Sequence, residues 1–186
     1  MVGSLPEYWY LILHPRPAYV VVSGREKSSI GVMAASWVSP VSEEPPRITL
    51  AISVNSHTYS MIKEFKDFTV NIVFTDLVNL IWDVGRTSGC KLNKVREFKI
   101  ELAESRSVGS PRLAKARAVI EASLWREEVL GDTSLVIADV VDAYVLDRES
   151  FNEKYGWKAS KAQVPLHLWG RAFTSLGRLI LAGAEK

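Results

Sequence analysis

Four adjacent polar side chains, Asn55-Ser56-His57-Thr58, stand between a run with strand alternation and a run with helical spacing. At such a junction the first backbone N–H groups of the helix lack intrahelical partners, and the helix dipole adds partial positive charge. An anion, and phosphate above all, is the ligand this arrangement favours. Ordinary capping by Asn, Ser or Thr is the alternative, and the four residues read alone suit it better. Lys94 offers a balancing charge to such a phosphate, although a lysine in a charged stretch ordinarily faces solvent. A second segment, Gly31 to Ser39, sets the small residues Gly31, Ala34, Ala35 and Ser36 around Trp37. Small side chains let a flat ligand approach strand backbone and hydrogen-bond to it, and an indole can wall the pocket. A tightly packed strand with a core tryptophan is the competing reading.

Other chemistries lack their residues. No G-x-G-x-x-G follows a strand and no G-x-x-x-x-G-K-[ST] occurs, so the dinucleotide and P-loop signatures are absent. His14, His57 and His167 are scattered, without paired ligand spacing, and no metal site is expected. Ser88 in Gly85-Arg86-Thr87-Ser88-Gly89 sits one place too late for a hydrolase elbow, and no strand leads into it. The 23 basic and 21 acidic residues leave a charge of +2, far from the surplus of a nucleic-acid binder. The densest basic run, Lys91 to Lys99, reads as a solvated loop or edge. The one cysteine, Cys90, permits neither an internal disulfide nor a cysteine zinc cage, which suits a reducing cytoplasm. No signal peptide and no membrane-spanning run are expected; Leu176 to Ala184 is apolar but short, and suits packing on a core or a partner subunit.

The elements that must position these residues are mostly strands. With 47% hydrophobic residues in 186, the chain can bury one full-sized core, and residues 1–186 read as a single domain. Ala18–Ser23, entered through Pro15-Arg16-Pro17, pairs with Ile30–Trp37 across a turn at Gly24 to Ser29. Pro40, Pro45 and Pro46 break the chain before Arg47–Ser53, where Ile48, Leu50 and Ile52 alternate with smaller or polar residues. Tyr59, Ile62 and Phe65 recur at helical spacing, a strand fits Phe68–Phe74, and Asp76 is placed to cap a helix carrying Leu77, Leu80, Ile81 and Val84. Arg86 to Arg112 is irregular. Ala116–Val129 and Thr133–Leu146 form a long hairpin about Leu130-Gly131-Asp132, and a short helix near Ser150 to Lys154 precedes loop and room for one more strand. Six or more strands without a βαβ rhythm predict a mainly β fold, a closed antiparallel Greek-key-like barrel with a few short helices, ahead of a doubly wound parallel sheet.

In order, these stretches resemble the flavin reductase-like, FMN-binding split-barrel family, which includes flavoredoxins and archaeal ferric reductases. The residues that carry the likeness are His14-Pro15-Arg16-Pro17-Ala18, then Met33 to Ser42, Pro45 to Ile52, Ser56-His57-Thr58 and Phe68 to Ile72. Ser88-Gly89 with Asn93-Lys94, and Gly131-Asp132 before a strand, continue it, from about His14 to Tyr144 and less clearly to Gly177. The resemblance implies a homodimeric split barrel that holds FMN at the subunit boundary. It assigns the phosphate to Ser56, His57 and Thr58 with Lys94 as cationic partner, and the ribityl chain and ring edge to Gly31 through Trp37. Ser53, Ser88 and Gly89 are further cofactor candidates, and Trp169 falls where an aromatic covers the flavin. Two departures stand out: Thr133 replaces the histidine of the family's Gly-Asp-His, near the nicotinamide side, and Gly31 replaces a frequent asparagine. The implied function is an NAD(P)H-dependent flavin or ferric reductase, with a flavoredoxin-type carrier reduced by a partner protein, or a non-catalytic phosphate-binding barrel, as alternatives. No catalytic acid or base, nucleic acid or membrane is expected. Cys90, beside the proposed flavin loop, is read as packing, with a redox role as the alternative.

Overall fold

Alternation in Arg47–Ser53 does what it predicts: Ile48, Leu50 and Ile52 are buried, and the residues between them are not. The structure is a computed structural model that describes residues 7–25 and 29–183. Its order is β1 (Arg16–Pro17), β2 (Tyr19–Ser23), β3 (Gly31–Ala35), β4 (Val38–Ser42), β5 (Arg47–Ser53), α1 (His57–Phe65), β6 (Asp67–Ile72), α2 (Val78–Arg86), α3 (Lys94–Glu97), β7 (Leu102–Ala103), β8 (Arg112–Leu113), β9 (Ala118–Leu130), β10 (Thr133–Val145), β11 (Phe151–Asn152), β12 (Gly156–Trp157), β13 (Leu166–Trp169) and β14 (Ala172–Thr174). Seven strands pair antiparallel in the order β3-β2-β6-β9-β10-β5-β4. The outer strands β3 and β4 are consecutive, joined through Ser36-Trp37, yet they do not pair with each other. The barrel is therefore split along that seam. Bulges in the β9–β10 pairing bend the long hairpin, as closure of a twisted sheet requires.

The core has two main parts, with β-branched residues of one strand turned alternately into each. Val21 joins Leu50, Ile62, Phe68 and Val136 in one cluster, with α1 contributing Tyr59 and Ile62. Val20 and Val22 join Val32, Ile81, Val84 and Val119 in the other, beneath α2. A small sheet, β1-β13-β14, brings the C-terminal segment beside β3 through pairs such as Arg16 with His167.

Several expectations need correction. Ser150 to Lys154 is no helix: Phe151 and Asn152 pair with Trp157 and Gly156, and Asn152 Oδ1 accepts the Lys154 and Tyr155 N–H groups in a tight turn. Val38–Ser42, expected to be broken by Pro40, is an edge strand, where a missing N–H is harmless. Asp76 caps nothing; it pairs with Arg117 at 2.8 Å, and α2 starts after Leu77 without a side-chain cap. Lys91 to Lys99 is not wholly a solvated loop, because Lys94 and Val95 in α3 are buried.

The irregular stretch ahead of β8 is fixed by two buried carboxylates. Glu121, on β9, accepts the N–H groups of Arg106, Ser107 and Val108 and the Tyr144 hydroxyl at 2.6–3.1 Å. Asp67, on β6, binds Arg25 and the N–H groups of Gly109 and Ser110. Burial pushes both carboxyl pKa values up, but these hydrogen bonds reverse that and hold both below their ordinary values. Ionisation is thus favoured in the fold, so this stability is present above the ordinary carboxylate range and is lost as pH falls through the lowered values. Glu121→Gln is expected to lose about 2–3 kcal/mol, since an amide cannot accept from all four donors. Urea unfolding checks this, and the variant should also lose less stability than the parent between neutral and acid pH.

Candidate functional site

Strand β5 ends at Ser53 and α1 begins at His57, so the polar corner sits at a strand-to-helix junction. Capping, the competing reading of the corner, is not realised. Ser56 occupies the N-cap position in extended conformation, and its side chain makes no cap hydrogen bond. The first-turn N–H groups are left for an acceptor outside the helix. The corner is pressed onto β3: a Cβ on Gly31 would stand 2.6 Å from the Thr58 Cα, so only glycine allows this approach. Any side chain at this position, the asparagine weighed above included, has no room here.

The loop after α2 closes the other side. Gly89 packs so closely on His57 that a Cβ there would meet Nδ1 at 2.9 Å, and that nitrogen is buried without a hydrogen-bond partner. Burial and then the Lys94 charge lower the His57 pKa. Lys94 is 6% exposed and donates from Nζ to the carbonyls of Val32 at 2.8 Å and Val84 at 2.6 Å. It therefore ties β3 to the C-terminal turn of α2. Burial lowers its pKa to about 8, against a smaller opposing effect of Cys90.

These parts enclose two adjoining cavities that share Ala34, Gly85 and Arg86. The first, about 350 Å³, is lined by Ser53, Asn55, Ser56, His57, Thr58, Thr87, Ser88, Gly89 and Lys94, with Met33 and Val84 behind them. The second, about 470 Å³, is floored by Ala18, Ala34, Ala35 and Ser36 and walled by Ile81, Trp82, His167, Trp169 and Phe173. No carboxylate lines either cavity among the described residues. Asp83 lies just outside and holds the Arg86 guanidinium at 2.9 Å. One end is thus rich in donors and cations, and the other is flat, apolar and aromatic.

Most residues singled out from the sequence converge here. Three line neither cavity. Gly31 acts as the packing point for Thr58. Trp37 stands one ring away, 5.6 Å from Tyr10, which in turn lies 5.8 Å from Trp169. Thr133 is paired with Ser53 in the sheet and bonded to Asp132 at 3.1 Å. Cys90 is exposed. Sequence reasoning missed Arg86, Trp82 and His167. Ile81, Trp82 and Gly85 share a face at helical spacing, and His167 lies two places before Trp169 on a strand, so both signals were available.

Residues 11–177 match the family described as Flavin reductase like domain. The chain belongs to that family. An uncharacterized protein of Archaeoglobus fulgidus is 33% identical over 153 residues, 80% of this chain and 85% of that protein. The FMN-binding domain of a flavin reductases-like enzyme from Shewanella baltica superposes with a TM-score of 0.79 at 25% identity, covering 93% of this chain and 92% of that one. An FMN-binding protein from Thermus thermophilus, at 20% identity, shares the fold with a TM-score of 0.84 over 98% and 97% of the two chains. The family's split barrel agrees with the open seam between β3 and β4.

The residues present fit a phosphorylated flavin. The uncapped α1 N-terminus, the orphaned His57 Nδ1 and Lys94 suit a phosphate monoester, and the alanine floor suits a planar ring. Because Lys94 loses its charge as pH rises through about 8, affinity for FMN is expected to weaken over that range. Fluorescence titration at a series of pH values checks it. Lys94→Met should bind FMN at least about tenfold more weakly at neutral pH and lose the pH dependence around 8.

Proposed function

We propose that this chain is an FMN-binding oxidoreductase that takes electrons from NADH or NADPH and passes them to a flavin or ferric acceptor. One observation carries the reading: two adjoining cavities that match the two ends of FMN, donors and cations at one and a flat apolar floor at the other. The bound flavin supplies the hydride and electron chemistry, which no side chain of the chain can perform. The protein's part is placement and field. The α1 N–H groups and Lys94 draw the phosphate into the corner, and Arg86 stands at the junction of the two cavities. Ala34, Ala35 and Ser36 permit close approach of ring to backbone, where N–H groups can favour negative charge on a reduced ring. Trp169, packed on Tyr8 at 5.1 Å, walls the ring cavity and limits water there.

A homodimer belongs to the same proposal. Its support is the apolar surface left open on the long hairpin and beyond it, including Trp125, Val129, Leu130 and Val141. A flavoredoxin-type carrier, reduced by a partner protein, is the second reading. Thr133 favours it, because it puts no imidazole at the ring cavity from the β9–β10 turn. Anaerobic addition of each nicotinamide to FMN-loaded protein separates the two. Loss of the flavin's visible absorbance with NADH or NADPH is the expected result. Absorbance that persists with both, yet falls with dithionite, would remove nicotinamide from the proposal and leave the carrier.

A further inference from the structure

Resting on the FMN reading above, we propose that His167 is the proton-transfer residue of the ring cavity. Its Nδ1 takes up the proton that leaves N5 when a ferric chelate oxidises the reduced flavin. In that step the two-electron-reduced flavin anion would give one electron to each of two ferric ions, which become ferrous. The N5–H bond breaks, its proton goes to Nδ1 of His167, and oxidised FMN remains. The imidazolium then returns the proton to solvent.

The tautomer is set by the fold. His167 Nε2 lies 3.2 Å from the Gly170 carbonyl, which can only accept, so Nε2 carries the hydrogen and Nδ1 keeps a lone pair. Among the described residues no hydrogen bond reaches that Nδ1. The backbone is held as well: His14 Nδ1 donates to the His167 carbonyl at 2.9 Å, and the ring packs 5.0 Å from Phe173. Every other residue lining the cavity is apolar, a glycine or an indole, apart from Ser36 and Arg86. A serine hydroxyl and a guanidinium do not exchange protons near neutral pH, and an imidazole does.

No carboxylate facing the ring among the described residues holds it protonated, so it stands neutral and able to accept. His14 and Arg16 stand on the β1 side, Arg86 at the end of α2 and Arg171 in the turn after β13, with no carboxylate lining the cavity among the described residues. Burial, with a smaller contribution from His14, lowers the His167 pKa against the opposing pull of the Gly170 carbonyl. The neutral imidazole therefore prevails at pH 7. This supplies from β13 an imidazole that Thr133 does not supply from the β9–β10 turn.

Nitrogen NMR of the chain without FMN should show His167 neutral at pH 7 with Nδ1 unprotonated, and FMN should shift that resonance. Stopped-flow oxidation of the FMN-loaded, reduced protein by ferricyanide should follow a pH profile with an inflexion below the ordinary histidine value. His167→Gln should slow it on the order of 100-fold and erase the inflexion. His167→Ala should recover part of the rate with added imidazole, which a merely structural role does not explain. Wild-type chain that binds FMN, beside a His167→Gln variant with unchanged rate and pH profile, overturns this inference alone. A wild-type chain that fails to quench FMN fluorescence overturns the FMN reading and this inference with it.

Discussion

A buried ammonium holds the cleft in shape. Lys94 Nζ bonds to one carbonyl on β3 and one on α2, and residues of both elements line the two cavities. Removing the charge from water is unfavourable, which the lowered pKa records, and the two carbonyls only partly compensate. Lys94 therefore belongs both to the packing of the fold and to the lining of the corner.

The rest of the molecule keeps that tether in register. Strand β3 is held by β2, and β2 by β6, whose Asn71 bonds to the Val20 carbonyl and accepts the Leu113 N–H. Asp67 and Glu121 hold the irregular stretch that precedes β8 by its backbone N–H groups, and Asn71 holds β8 itself. On the far side of the cleft, β1, β13 and β14 carry Trp169 and His167 to the ring cavity from late in the chain.

Much of this was legible in the sequence. The period-two pattern of β5, the small residues of β3 and the polar corner before α1 are local signals, and each is found where its pattern places it. What was hidden depends on contacts distant in sequence. Lys94 looks like one more cation of a charged stretch, because nothing local shows that β3 and α2 will offer it carbonyls. Gly31 looks like a ligand contact until Thr58 is seen against it. Asp76 has the chemistry of a cap, but Arg117, 41 residues away, claims its carboxylate. At Ser150 to Lys154 the turn chemistry of Asn152 and the positive φ of Gly156 outweigh helical tendency.

Family membership agrees with the fold, and the residues lining the two cavities suit the two ends of a phosphorylated flavin. If the corner is a phosphate site, binding must depend on the phosphate itself. Calorimetric titration with FMN and with riboflavin, which differ only in that group, measures the dependence directly. Loss of two or more charge-assisted hydrogen bonds predicts riboflavin binding weaker by on the order of 100-fold or more. Equal affinity for the two flavins would contradict the account.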